Sequence, residues 1–151
     1  MLNYRVFSTV ALLALVSALC FGLSSCGPDA SYVKIAKDYK YLAVAYQNVV
    51  PEINFPMGEL IAGYEFMTDV SWETKIDNEM MVVSAAGKMK INGKRVLRTI
   101  YFIIDPKTKQ VAKFAIALDN GNFLDDLQTP GFVQQWANLY RSYVEADSTK
   151  K

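Results

Sequence analysis

An Asn-Gly pair at positions 92 and 93 stands between two stretches in which apolar residues recur at every second position, and no other feature of the chain restricts its folding as narrowly. A two-residue turn of type I′ needs positive φ at both central residues, which Asn and Gly supply at least cost. The pair predicts a hairpin with strands over residues 80–91 and 95–104. Its two-residue loop also sets the register, pairing Ile91 with Lys94 and, further along, Gly87 with Arg98. Counting by two places Met81, Val83, Ala85, Gly87, Met89 and Ile91 on one face, opposite Val96, Arg98, Ile100, Phe102 and Ile104. That is a core face with one cation, Arg98, inside its pattern.

The period of two begins at Tyr64, so residues 66–76 read as the strand before the hairpin. After it, Asp105-Pro106-Lys107-Thr108 starts a type I turn with Lys109 in the left-handed position that Gly usually fills, and residues 111–118 form a fourth strand. Asp119-Asn120-Gly121-Asn122 closes the sheet. Upstream, residues 29–50 carry Tyr32, Val33, Ile35, Ala36, Tyr39, Leu42, Ala43, Tyr46, Val49 and Val50 at the three-and-four spacing of one helical face, with Asp29 or Ser31 as cap and Pro51 as terminator. A short helical turn over 59–62 sits among Pro56, Gly58 and Gly63. Downstream, Thr129 as N-cap and Pro130 at the first helical position open a second helix, whose apolar face is Phe132, Val133, Trp136, Leu139, Tyr140, Tyr143 and Val144. Residues 147–151 make a polar tail.

The expectation is an α+β domain over residues 31–146: an N-terminal helix, a four-stranded antiparallel meander and a C-terminal helix, with the helices on one face of a curled sheet. Cystatin-like and NTF2-like folds share that outline, an analogy of element order that no motif accompanies.

The chain is 52% hydrophobic and 21% charged, and the apolar surplus lies at its start. Residues 1–5 carry one positive charge, residues 6–23 are apolar apart from Ser, Thr, Cys and Gly, and no acidic residue precedes Asp29. This is the layout of a secretory signal. A spanning helix needs about 20 apolar residues, a length this stretch nearly reaches, so the end of the stretch decides between signal and anchor. It reads Leu23-Ser24-Ser25-Cys26: a branched apolar residue, two small ones, then cysteine. Those four residues resemble a lipobox, and through them the chain is similar to bacterial lipoproteins.

The resemblance implies that the Cys26 sulfur receives a diacylglyceryl group, that a signal peptidase cuts between Ser25 and Cys26, and that Cys26 becomes the acylated N-terminus. Residues 1–25 are then a signal peptide and residues 26–30 a lipidated tether. Cys20 follows Leu19 and does not fit the pattern. The implied location is the bacterial cell envelope. Gly27 stands where enteric lipoproteins retained in the inner membrane carry Asp, which favours the outer membrane. Acyl chains anchor at about 0.8 kcal/mol per buried methylene, so the protein would be held at the membrane without spanning it.

Removing residues 1–25 takes away Arg5 as the one charged side chain, leaving 15 basic residues against 15 acidic ones. A neutral domain carries no electrostatic footprint for nucleic acid. With Cys20 removed and Cys26 acylated, no internal disulfide and no thiol nucleophile is left. The chain has no His, which excludes Ser-His-Asp triads, most zinc sites and c-type haem attachment. Its glycines are scattered singly, without a phosphate loop or dinucleotide fingerprint, so no cofactor is expected. Asp119-Asn120-Gly121-Asn122 with Asp125-Asp126 offers oxygen ligands but lacks EF-hand spacing; it reads as a hairpin exit and helix cap, and no metal is expected. Asp69 and Glu73, with Trp72 between them, could serve as paired carboxylates of a glycosidase-like hydrolase, or stand as solvated strand residues.

Three residues remain as candidates for a ligand or an interface. Arg98 needs an acidic or carbonyl partner if buried, and Gly87 across from it leaves room for the guanidinium; it reads as an anion site in a concave sheet or as a structural pairing. Tyr101 belongs to the other hairpin face, where Val82, Ala86, Leu97, Tyr101 and Ile103 are too apolar for a solvated surface, so either a helix covers each face or a partner covers one. Trp72 and the tyrosines suit surfaces that are apolar in body and wet at the tip. The function expected first is a non-enzymatic, lipid-anchored binding or accessory subunit with a protein partner in the envelope. A small-ligand pocket domain with Arg98 at its base comes second, and a hydrolase using Asp69 or Glu73 last.

Overall fold

The computed structural model describes residues 28–46, 54–63, 67–91, 93–118 and 121–150. The signal, the lipobox and Cys26 lie outside the described residues, as do residues 47–50 of the first expected helix, Tyr64, Asn92 and the Asp119-Asn120 pair. The elements in order are α1 (Ala30–Asp38), α2 (Tyr41–Ala45), α3 (Met57–Ala62), β1 (Met67–Asp77), β2 (Met80–Ile91), β3 (Lys94–Asp105), β4 (Gln110–Ala117) and α4 (Gln128–Ser148). The strands pair antiparallel in chain order, giving the α+β meander with helices at both ends.

Turn chemistry positions the strands as expected. Ile91 pairs with Lys94, Gly87 with Arg98, and Gly93 has φ 77°. After β3, the Asp105 carboxylate accepts from the Lys107 amide at 2.8 Å, and Lys109 takes a positive φ of 58°. The β1–β2 turn also uses the left-handed region, at Asn78 and Glu79, between paired Asp77 and Met80. In β1 the register skips between Thr68 and Ser71 around Asp69, whose φ is 55°: a bulge. Past β4 the chain folds back beside it, with Leu118 N donating to Asn122 O at 2.7 Å, Leu124 N to Ile116 O at 2.9 Å, and a bridge between Ala117 and Phe123.

The four described helices pack on one sheet face. The core joins Val33, Leu42, Met57, Leu60 and Trp136 from the helices to Val83, Met89, Ile100, Phe102 and Ile116 from the strands, and the other face contributes nothing to it. Among the described residues no helix is long and apolar enough to cross a membrane.

Two helical expectations need correction. Residues 29–50 do not form one helix. α1 stops at Asp38, Tyr39 is extended, Lys40 is non-helical, and α2 restarts at Tyr41. In a continuous helix, residues two apart point to different sides, but Tyr39 and Tyr41 both pack on Phe114, with ring centroids 6.0 and 4.7 Å away. The break lets both reach the sheet, and the freed Tyr39 carbonyl accepts from the Met57 amide at 2.8 Å. Thr129 is not the cap of α4. The helix begins at Gln128, and the Asp125 carboxylate accepts from the amides of Leu127 at 3.0 Å and Gln128 at 2.6 Å. The Thr129 hydroxyl is buried and donates to the Asp125 carbonyl at 2.9 Å. At α1, Asp29 and not Ser31 is the cap. The turn expected over 59–62 is α3, which starts at Met57, just after Pro56.

Candidate functional site

The hairpin register puts Met89 and Ile91 on the core face at the Gly93 end of β2. On α4, Phe132, Trp136 and Leu139 follow at four and three residues and so share one helical side. Together these five side chains line an open groove of about 230 Å³. Trp136 is buried, with its ring 6.2 Å from that of Phe132 in an edge-on arrangement, while Leu139 is exposed. Lys90 and exposed Gln135 complete the lining; the Lys90 side chain alternates with Met89 and Ile91 and belongs to the opposite sheet face, so Gln135 supplies the polar group beside the apolar floor.

None of the expected site residues lines this groove. Arg98 is half-buried, and its Nη1 donates to the Leu97 carbonyl at 2.9 Å. The room above Gly87 is taken by β1, whose Met67, Thr68 and Val70 approach it. Trp72 lies on the core face, stacked on Phe102 at 6.2 Å with the Lys37 ammonium 5.2 Å from its ring. Tyr101 lies on the opposite face, 5.9 Å from the ring of Phe123. That face shows 62% of Leu97 and 56% of Phe123 to solvent. Asp69, on the bulge, is exposed and pairs with Lys88 at 3.2 Å, and Glu73 is exposed opposite Ser84. Among the described residues no three His, Cys, Asp or Glu side chains gather to hold a metal ion.

Comparison with known families, curated proteins and solved structures finds no match. The site is therefore read from its own chemistry.

Among the described residues, Tyr39 and Tyr41 also set polar groups in an apolar setting. Burial beside Phe102 and Phe114 raises the pKa of Tyr39, with Tyr41 adding to the effect, and burial also raises that of Tyr41, next to Tyr46 and Asp126. Both rings are partly buried and pack against the core. The groove residues gave no separate signal in the sequence, because a side chain lining a groove follows the same periodicity as one that fills a core.

Proposed function

We propose that the protein is a lipid-anchored binding module of the bacterial cell envelope that holds a small amphipathic ligand in the groove between β2 and α4. The groove carries this reading: its floor is apolar, and exposed Gln135 sets an amide at its border. A volume of about 230 Å³ lies below the ~300–1,000 Å³ of pockets that enclose drug-sized molecules, which favours a short chain over a polycyclic ligand. The address comes from the lipobox resemblance, with cleavage after Ser25, lipid on Cys26 and the outer membrane favoured. We read the architecture as cystatin-like or NTF2-like; helices gathered on one face of a meander support that outline.

The test is a titration of octanoate against protein labelled at methionine and isoleucine methyl groups. Saturable shifts at Met89 and Ile91 are expected, and Leu139→Ala should weaken binding about fivefold, since the apolar contact it removes is worth ~1 kcal/mol. Unmoved groove resonances would refute the reading.

A second reading has its own observation. Exposed Phe123, beside Tyr101, and exposed Leu97 further along β3 offer apolar surface on the face that no described helix covers. An accessory subunit of an envelope complex would dock a protein partner there.

A further inference from the structure

We propose that the domain stands on the bilayer through the end of the sheet that carries the β1–β2 and β3–β4 turns, with Ile76 as its lipid contact and the β2–α4 groove turned away from the membrane. The inference rests on the reading of Cys26 as the lipid-bearing residue and adds the geometry of the fold.

Asp29 is where the tether meets the domain. Its amide donates to Thr74 Oγ1 at 2.9 Å, and its carboxylate accepts from the Ser31 amide at 3.0 Å to cap α1. Thr74 lies near the end of β1, shortly before the Asn78-Glu79 turn. The β3–β4 turn is at the same end: Lys109 donates to the Tyr32 hydroxyl, and its Nζ lies 4.1 Å from that ring. Two residues, Gly27 and Pro28, separate Cys26 from Asp29. At ~3.3–3.6 Å per residue, that length of chain spans at most about 11 Å whatever conformation it takes. The acyl chains therefore hold this end of the sheet close to the headgroups.

The exposed side chains there suit a lipid surface. Ile76 is two residues beyond Thr74 on the same face of β1, about 7 Å along the strand. It shows 76% of its surface to solvent, unusually much for a large aliphatic side chain within a strand. Lys75 and Lys107 are exposed at the same end and can meet lipid phosphates. The groove lies far from this contact. Ile91 is eight residues along β2 from Val83, the partner of Thr74, or roughly 26 Å at ~3.3 Å per residue.

The lipidated protein, reconstituted in vesicles of phosphatidylcholine and phosphatidylglycerol, tests the orientation. A fluorophore is attached to single cysteines in Ile76→Cys, Asn78→Cys and Lys90→Cys, and quenched by lipid spin-labelled in the acyl chain. Quenching several-fold stronger at positions 76 and 78 than at 90 is the expected result. Asn78, on an exposed turn, keeps the comparison valid if replacing Ile76 disturbs folding. Equal quenching at all three positions, or strongest quenching at 90, overturns the orientation. The mass of the N-terminal peptide is read on the same samples. An unacylated Cys26 overturns the lipoprotein reading and the orientation with it, whereas an acylated Cys26 with uniform quenching overturns the orientation alone.

Discussion

At Gly87 the missing side chain makes room for a neighbouring strand. A Cβ there would lie 2.9 Å from Met67 Cγ and 2.9 Å from the Thr68 carbonyl, which the bulge at Asp69 brings over the ladder. Gly87→Ala is therefore expected to destabilise the fold by about 1–3 kcal/mol, since a backbone carbonyl cannot swing aside as a flexible side chain can. A lower urea midpoint at unchanged slope would register it. Arg98 faces Gly87 in the ladder, as the Asn92-Gly93 turn requires. That pairing was legible because a two-residue turn fixes register through local backbone chemistry. What fills the space above Gly87 was not legible, because it depends on a bulge in β1, and Asp69 in the left-handed region leaves no mark in a period-two pattern.

At the scale of elements, helix ends were the least legible feature. Alternation and turn residues gave the four strands to within a residue or so. The first helix was overextended because spacing alone cannot show that Tyr39 and Tyr41 must pack on the same phenylalanine. The start of α4 was misplaced because Thr129 and Asp125 both have capping side chains, and only the tertiary fold shows which one meets free amides. Asp125→Ala is expected to cost about 1 kcal/mol by leaving the Leu127 and Gln128 amides without their acceptor. Asp125→Asn should restore most of it, and thermal melts of the two variants would show the difference. The groove depends on α4 as well, because Phe132, Trp136 and Leu139 reach Met89 and Ile91 only with the helix seated on the end of β2.

At the scale of the whole molecule, one buried layer between helices and sheet supplies the described core, with Tyr39 and Tyr41 set in it. Burial raises both phenol pKa values, and ionised Tyr41 would also face Tyr46 and Asp126. A raised folded-state pKa stabilises the protein fully below the unfolded tyrosine value of about 10, and that stability is lost as pH climbs beyond it. Melting temperature should therefore fall above pH 10, and less steeply in Tyr39→Phe. At the acid end, hydrogen bonds from the Ser31 side chain and amide hold the Asp29 carboxyl below its usual range, so the α1 cap persists until pH drops beneath ordinary carboxylate values. The layered design leaves two outermost strands, and neither offers a straight ladder to a newcomer. The segment ending in Phe123 already occupies the last residues of β4, while β1 is kinked at Asp69 and carries Glu73, Lys75 and Asp77 outward. Copies crowded side by side are thereby discouraged from extending one another's sheets into a polymer.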